Sequence, residues 1–234
     1  IIEIEIERLR PFKEHPFQVK DDKKMEELSE SITQYGVLVP GIVRLRESGG
    51  YELVAGHRRK RACELAGLEK MPVIIKDLTD DEATVIMVDS NIQREELLIS
   101  EKAFAYKMKY DAIKRKAGRK KCGQVDFNNG KRSIDIIGEL CGDSAKQVQR
   151  YIKITELIPP LPEKVDDGTM GFTPAVQLAY LKKKEQQQKV DAIDFTQCTP
   201  SLSQAIRMKK LSEEGNLRNR EHTLMFVGLI LEKA

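Results

Sequence analysis

The stretch LVAGHRRKRACELAG, residues 53–67, places a glycine, a histidine and four cations where a strand-like apolar run changes to a helical pattern. A strand that ends at Gly56 and a helix that begins near His57 leave backbone N–H groups without helical partners. Glycine permits close approach to the backbone, and the guanidinium groups of Arg58 and Arg59 can donate in pairs to phosphate oxygens. Positive charge at a helix N-terminus is unfavourable unless an anion offsets it. The stretch therefore predicts a phosphate site, the alternative being a cationic helix start that faces solvent or pairs with acids of neighbouring helices.

A second stretch, SIDIIGELCGDSAKQVQRYIKITEL, has the pattern of a helix-turn-helix. Gly138 is small enough for two helices to cross closely, and Gly142 permits the tight turn. Asp143 or Ser144 can cap the second helix. Apolar residues that would face inward recur at helical spacing, and they are Ile134, Ile137, Leu140, Val148, Tyr151 and Ile152.

The second helix of this pair would direct a polar face outward, made of Ser144, Lys146, Gln147, Gln149 and Arg150. In a DNA major groove, Gln can pair with adenine, and Arg or Lys with guanine. An ordinary helical hairpin with a polar face is the alternative. A basic stretch precedes the pair, and its cations, Lys120 and Lys121 among them, are expected to contact phosphates.

The composition of the chain excludes several classes of protein. Its 234 residues include 40 Lys and Arg against 37 Asp and Glu, a net charge of +3, so attraction to nucleic acid would come from local clusters. Four cysteines lie far apart without a CxxC pair, which indicates reduced thiols in a cytoplasmic protein. No apolar run reaches the roughly 20 residues that span a bilayer, so no membrane contact is expected.

Periodicity predicts the elements that would position these residues. The alternation in IIEIEIERL predicts an edge strand, and residues 23–35 predict a helix that stops at Gly36. Two strands joined by ESGG and a third in MPVIIKDL follow. Thr79 with Glu82 forms a capping box, and Ser100 is predicted to cap another helix. The first half therefore predicts an α+β domain.

After the basic stretch the pattern contains only helices, separated by Pro and Gly. Pro174 and Pro200 are each predicted at the first helical position after a threonine cap. KKKEQQQK is predicted to be a solvated helical face. An amphipathic helix is predicted through Leu202, Ile206 and Leu211, followed by an apolar chain end that either dimerises or packs on its own domain.

In order along the chain, several motifs resemble the ParB family of plasmid and chromosome partition proteins: HPFQVK, LSESITQYGVLVPGIVRL, YELVAGHRRKRACELAGLEKMPVIIKDLTDDEA, SNIQREELLISEKAFAY and the helix-turn-helix. The resemblance implies an α+β N-terminal ParB-like nucleotide-binding domain over residues 1–112. A basic linker and an all-α helix-turn-helix domain would follow over 113–195, and a helical extension that can dimerise over 196–234.

The resemblance also implies ligands and site residues. AGHRR matches the family's phosphate-binding box, so Gly56, His57, Arg58 and Arg59 would lie at the triphosphate of CTP, with Gln18 and Lys20 in a first nucleotide box. SNIQRE matches a third box, in which Asn91 would be a ligand of Mg²⁺. Gln93, Arg94 and Glu95 would belong to the switch that couples nucleotide binding to dimer closure.

Two departures from the family pattern affect this site. His57 replaces a glutamate common after the glycine, and Ser90 replaces the glutamate before the asparagine. Both changes remove a carboxylate, the ligand class that magnesium prefers, so CTP hydrolysis is expected to be slow at most. Asp89 would not substitute directly, because a shift of one residue on a helix points a side chain elsewhere.

Three functions remain open at this point. The first is a partition protein that binds a palindromic site in double-stranded DNA as a homodimer, closes as a CTP-dependent clamp and works with a ParA-type ATPase in the cytoplasm, on the nucleoid or a plasmid. The second is a transcription regulator on the same scaffold without a nucleotide switch. The third is a small-molecule kinase, against which the helix-turn-helix counts.

Overall fold

The computed structural model describes residues 1–13, 15–46, 49–92, 97–118 and 132–215, apart from the side chains of 116–118. The chain forms two compact units. The first combines Ile1–Glu95 with Met108–Asn129, and the second combines Glu96–Lys107 with Gly130–Ala234. The predicted domain boundary after residue 112 therefore lies inside a helix that contributes to both units.

The first unit contains, in its described part, a mixed five-stranded sheet. Its strands are β1 (Ile2–Glu5), β2 (Leu9–Pro11), β3 (Gly41–Leu45), β4 (Tyr51–Ala55) and β5 (Lys70–Ile75). Their order across the sheet is β1-β5-β3-β4-β2. The pairs β1–β5 and β3–β4 are antiparallel, whereas β3–β5 and β2–β4 are parallel. The sheet confirms the predicted hairpin and the predicted edge position of the first strand.

The first strand is shorter than its alternating sequence predicts. A 3-10 turn over Ile6–Arg8 interrupts it, and the Ile6 N–H donates to the Glu69 carbonyl at 3.0 Å. Ile4 and Ile6 are buried, as the alternation requires, but Ile2 is exposed. The chain therefore enters the sheet twice, at opposite edges, within its first eleven residues.

Helices accompany the sheet: α1 (Lys23–Tyr35), α2 (His57–Leu65), α3 (Asp80–Ile92) and the second half of α4 (Ile99–Gly118). Asp22 caps α1 by accepting from the Met25 N–H at 2.9 Å, and Gly36 ends it at a φ of 71°. At the start of α3 the Glu82 carboxylate accepts from the Thr79 N–H at 3.2 Å, as the capping box predicts.

The core of the first unit combines buried side chains of the sheet with those of α1 and α2, including Leu9, Met25, Ile32, Val43, Leu53, Ala62, Cys63 and Met71. Burial of a large apolar side chain contributes about 1.5–3 kcal/mol. In α2, Leu65 is exposed. Ala62 and Cys63 are the buried residues of α2, and both pack in the core with side chains of the sheet.

The second unit is helical throughout its described residues. It consists of the first half of α4, α5 (Ser133–Cys141), α6 (Ala145–Ile154), α7 (Pro160–Asp166), α8 (Phe172–Leu178), α9 (Lys183–Thr196) and α10 (Leu202–Glu213). Its core is a separate cluster around Ile154, Leu161, Met170, Leu178 and Met208. The predicted α+β domain followed by a helical domain is thus confirmed.

The starts of three helices differ from the prediction. Ser100 lies inside α4 and its N–H donates to Asp166 at 2.9 Å instead of capping the helix. Pro174 is the third residue of α8, and Pro200 precedes Ser201, which caps α10. The N–H groups of the first helical turn have no helical partner, so proline is tolerated at the third position as well as the first.

Two apolar faces are oriented differently from the predicted ones. Leu140, expected inside the helix-turn-helix, is 58% exposed. In α10 the buried residues include Ala205 and Met208, whereas Leu202 and Ile206 are exposed. The helix α10 therefore packs against α8 with Ala205 and Met208 buried, and of the predicted residues only Leu211 is partly buried against this core.

The polar stretch KKKEQQQK is a solvated face only in part, because Lys182, Lys183, Lys184, Gln187 and Gln188 are exposed and its other residues are not. Glu185, Gln186 and Lys189 are all buried in α9. Glu185 accepts from the Ser212 hydroxyl at 2.6 Å, and Gln186 accepts from the Ile158 N–H at 2.9 Å. Burial of these groups is tolerated because they have hydrogen-bond partners inside the unit.

Candidate functional site

The junction between β4 and α2 has the geometry that the GHRR stretch predicts. Gly56 precedes the helix in a left-handed conformation with a φ of 111°, which favours glycine. A Cβ atom there would also lie 3.3 Å from the Gly41 Cα. The first helical hydrogen bond runs from the Lys60 N–H to the Gly56 carbonyl at 2.9 Å. The N–H groups of the three intervening residues have no partner within the helix, which is the arrangement of an anion site.

Two of the junction cations are held by backbone carbonyls. Arg59 donates to the carbonyls of Val39 at 2.5 Å and Pro40 at 2.7 Å, in the loop before β3. Lys60 donates to the Leu9 carbonyl at 2.9 Å. Burial lowers the pKa of Arg59. These two side chains therefore fix neighbouring segments of the unit, a role that the sequence analysis did not predict.

The other two cations have acidic partners in the loop before α1. Arg61 pairs with Asp21 at 2.7 Å and with Glu64, and the hydrogen bond from Arg61 lowers the pKa of Asp21. Arg58 contacts Asp22 at 3.5 Å, near the limit for an ion pair. The alternative of pairing with neighbouring acids thus describes Arg61 well. Arg58 is the arginine with the weaker of the two contacts.

His57 joins the junction to the first nucleotide box. Its Nε2 accepts from the Phe12 N–H at 3.4 Å, which assigns the ring proton to Nδ1. Its ring lies 3.8 Å from that of His15, whose Nδ1 donates to the Phe17 carbonyl at 2.8 Å. The loop that carries the exposed Gln18 and Lys20 therefore lies beside the start of α2.

The third box begins in the last turn of α3. The Asn91 amide nitrogen donates to the Met87 carbonyl at 2.8 Å and to the Ser90 hydroxyl at 3.1 Å, so its oxygen is the atom that can bind a metal. Asp89 forms an ion pair with Lys109, whose side chain is fully buried. Asp89 is thereby committed to a structural pair and does not replace the carboxylate missing at position 90.

The structure shows which residues could hold the metal ion that the family resemblance implies. Over the described ranges, no three His, Cys, Asp or Glu residues cluster closely enough to hold a metal ion. Magnesium usually keeps several waters and uses phosphate oxygens, so Asn91 fits as a single protein ligand. Gln93, Arg94 and Glu95 lie outside the described residues.

The helix-turn-helix forms as predicted in α5 and α6. A Cβ atom on Gly138 would lie 2.5 Å from the Asp143 carbonyl, which shows how closely the helices cross. Gly142 ends α5 in a left-handed conformation. Ser144 caps α6 by accepting from the Gln147 N–H at 3.2 Å. Between the two candidate caps, the structure therefore selects Ser144.

The outward side chains of α6 fall into two groups. Ser144, Lys146 and Gln149 are exposed. Gln147 and Arg150 are half-buried and contact each other, with the Arg150 guanidinium donating to the Gln147 amide oxygen at 3.2 Å. Lys120 and Lys121, which were expected to contact phosphates, lie outside the described residues.

Asp143, the other candidate cap, is held by α4. Lys102 pairs with its carboxylate at 2.8 Å, and the Tyr106 hydroxyl donates to it at 2.5 Å. Burial raises the pKa of Asp143, but the hydrogen bonds from Lys102 and Tyr106 outweigh that effect and lower it overall. Sequence reasoning missed both residues because no local pattern connects them to a turn 37 residues further along the chain.

Comparisons with known proteins agree with the fold. Residues 1–92 match the ParB N-terminal domain family. A Caulobacter crescentus ParB structure in complex with the centromeric parS site is 23% identical, with a TM-score of 0.51, over 92% of this chain and all of that chain. Residues 1–92 therefore have the fold of a ParB N-terminal domain.

A curated relative and a second solved structure are also similar to this chain. The nucleoid occlusion protein of Bacillus thuringiensis is 36% identical over 147 residues, which are 60% of this chain and 50% of the relative. The chain thus spans about half the length of the curated relatives it matches. A second Caulobacter crescentus ParB structure, complexed with CTP-gamma-S, is 28% identical over 76% of this chain and 91% of that chain, with a TM-score of 0.37. None of the helices in the described ranges is long and apolar enough to cross a membrane.

Proposed function

We propose that this chain is a ParB-type protein that recognises a palindromic DNA site as a homodimer and uses CTP as a switch. The observation that carries the proposal is a capped recognition helix, α6, with an exposed polar face, on the same chain as a ParB N-terminal domain. The parS complex of the Caulobacter crescentus protein, which shares the fold, is consistent with this assignment.

Direct readout in this proposal depends on α6. A helix of this kind enters the major groove, where Gln and Lys side chains pair with base edges. Lys146 and Gln149 are the exposed residues of α6 with suitable donors. Lys120 and Lys121 would add contacts to phosphates, which carry no sequence information but strengthen binding at low salt.

A competition assay tests DNA binding. A selected site is labelled, binding is measured by fluorescence anisotropy, and scrambled DNA competes at several salt concentrations. We expect Lys146→Ala to weaken specific binding by about 1–3 kcal/mol, while Lys184→Ala, an exposed lysine of α9 in the same unit, leaves it unchanged. Equal affinity of the wild-type chain for scrambled DNA would contradict sequence-specific recognition.

The nucleotide site in this proposal is the junction before α2. The phosphates of CTP would contact the N–H groups after Gly56 and the side chain of Arg58, with Gln18 and Lys20 on the adjacent loop and Arg94 in the third box. The Asn91 oxygen would be the protein ligand of Mg²⁺. Bound CTP would supply a compact negative charge that offsets the cations gathered there.

Positions 57 and 90 carry no carboxylate, and this determines the rate of CTP hydrolysis that we expect. His57 accepts from the Phe12 N–H, and so its Nε2 is not available to accept a proton from water. We expect slow CTP hydrolysis, even on specific DNA, and a several-fold increase in His57→Glu, whose carboxylate can orient water. Phosphate release with CTP, Mg²⁺ and the selected site measures both rates, and brisk wild-type turnover would refute this account.

Cellular roles on this scaffold differ in their partners. Partition would require a ParA-type ATPase, whereas the Bacillus thuringiensis relative is a nucleoid occlusion protein. A neighbouring gene for a ParA-type ATPase favours partition of a plasmid or chromosome. Its absence, together with binding sites dispersed over the chromosome, favours nucleoid occlusion.

A further inference from the structure

The Arg150 side chain of the recognition helix is directed toward another helix of its own unit. One guanidinium nitrogen donates to the Thr173 hydroxyl at 2.6 Å, and the other donates to the Gln147 amide oxygen at 3.2 Å. The guanidinium also lies over the Phe172 ring, 5.0 Å from its centroid. Three contacts therefore hold Arg150 between α6 and the start of α8.

These contacts use two of the five N–H donors of the guanidinium and fix its orientation. Recognition of guanine uses two parallel N–H donors of one guanidinium, aimed at the same base edge. In Arg150 both terminal nitrogens already have acceptors within the protein, and contact with an aromatic face adds about 0.5–1 kcal/mol or more when water is excluded. Turning a pair of parallel donors toward a base edge would therefore disrupt the contacts with Thr173 and Phe172.

The surroundings of Phe172 show what this arrangement supports. Its ring lies 4.9 Å from that of Tyr151, and Tyr151 meets Tyr106 edge to face at 5.5 Å. Lys102 lies 4.8 Å from the Tyr151 ring, on the side of the Asp143 turn. Arg150 is therefore the last member of a packed row that fixes the direction of α6.

Lys146 and Gln149 differ from Arg150 in their exposure. Both are exposed, and a spacing of three residues places them on one face of α6. An exposed lysine can donate to guanine and an exposed glutamine can pair with adenine. We propose that Lys146 and Gln149 determine the base preference of α6, and that Arg150 is a positioning residue held by Thr173 and Phe172. This inference rests on the proposed DNA binding.

The test uses the full chain and a site selected from random DNA. Binding of each variant is measured against the site and against every single base-pair change in it. We expect Lys146→Ala and Gln149→Ala each to abolish discrimination at particular base pairs, a loss of roughly tenfold or more there. We expect Arg150→Ala to weaken binding to all of these DNAs by the same factor and to leave the order of preference unchanged.

Thr173 supplies the matched control. Thr173→Val removes the acceptor hydroxyl at nearly constant shape and should reproduce the uniform loss, whereas Thr173→Ser should retain wild-type binding. The double variant Arg150→Ala with Thr173→Val should bind no worse than Arg150→Ala alone, because both changes remove the same contact. These Thr173 variants also decide the matter if Arg150→Ala fails to fold.

Each outcome has a distinct meaning. Loss of discrimination at one base pair in Arg150→Ala, with normal binding by Thr173→Val, would overturn the inference, because it would show that Arg150 leaves Thr173 to read a base. Unchanged base preference in both Lys146→Ala and Gln149→Ala would also overturn it. A wild-type chain that selects no sequence from random DNA would instead contradict the proposed function itself, and the inference with it.

Discussion

The junction before α2 and the recognition helix α6 both gather cations, yet they use them differently. At the junction, Arg59 and Lys60 stabilise neighbouring backbone, and the backbone N–H groups with Arg58 remain for an anion. On α6, Arg150 is held by α8, and the exposed Lys146 and Gln149 remain for a ligand. The comparison teaches that a cationic motif predicts a candidate site, whereas contacts in three dimensions determine which of its side chains the protein itself already holds.

The largest expected effect is that of Gly138→Ala, which should disrupt the helix-turn-helix and leave the junction before α2 intact. Gly138→Ala would place a Cβ atom 2.5 Å from the Asp143 carbonyl, a backbone atom that cannot move alone, so we expect a destabilisation of about 3 kcal/mol or more and loss of DNA binding. CTP binding should persist. Gly171→Ala is the control, since its Cβ would meet only Pro174, at 3.4 Å. Chemical denaturation and calorimetry measure both effects, and equal stability of the two variants would contradict the close crossing.

A smaller effect is expected at the junction. Arg58→Ala should weaken CTP binding about 10- to 100-fold, as expected for the loss of charge-assisted hydrogen bonds worth about 1.5–3 kcal/mol, and should leave specific DNA binding intact. Arg61→Ala removes a surface ion pair with Asp21 and should change the affinity for CTP little. Isothermal titration with CTP and Mg²⁺ distinguishes the two variants. Wild-type affinity in a folded Arg58→Ala chain would refute the phosphate site.

The smallest expected effect is on the pH dependence of stability, and it arises from Asp143 in the turn of the helix-turn-helix. The native pKa of Asp143 is lowered, so its contribution to stability is complete above the unfolded value of about 3.9 and is lost as the pH falls through the native value. Thermal melting of the wild-type chain should therefore include an acid-sensitive part that Asp143→Asn lacks. An identical slope of melting temperature against pH below about pH 5 in both chains would contradict the assignment.

Local signals explain the elements that could be predicted from the sequence. The Asp22 cap, the left-handed Gly36 and the Thr79–Glu82 box each act within four residues, so their patterns are visible in the sequence. The motifs that resemble the ParB family predict both candidate sites, and those site residues stay predictions. Of the predicted elements, the edge strand, the hairpin and the helix-turn-helix are confirmed.

Distant contacts explain what could not be predicted. Arg59 meets Pro40 across 19 residues, and Arg150 meets Thr173 across 23, which no periodicity can indicate. The burial of Glu185 depends on Ser212, 27 residues away, so part of a stretch that is polar in sequence is interior in the fold. The partners of these side chains are therefore set by the tertiary structure and leave no pattern in the local sequence.

Because α4 contributes to both units, it limits where the chain can be divided into fragments that keep their contacts. A fragment that begins at residue 113 would contain the whole helix-turn-helix and still lack Lys102 and Tyr106, which hold its turn. A fragment that ends at residue 112 would lose Arg115, which pairs with the buried Asp81 at 2.8 Å. A fragment that keeps the turn of the helix-turn-helix in place must therefore include α4 from Ile99, and recombination between related genes preserves both units only when it carries the helix intact.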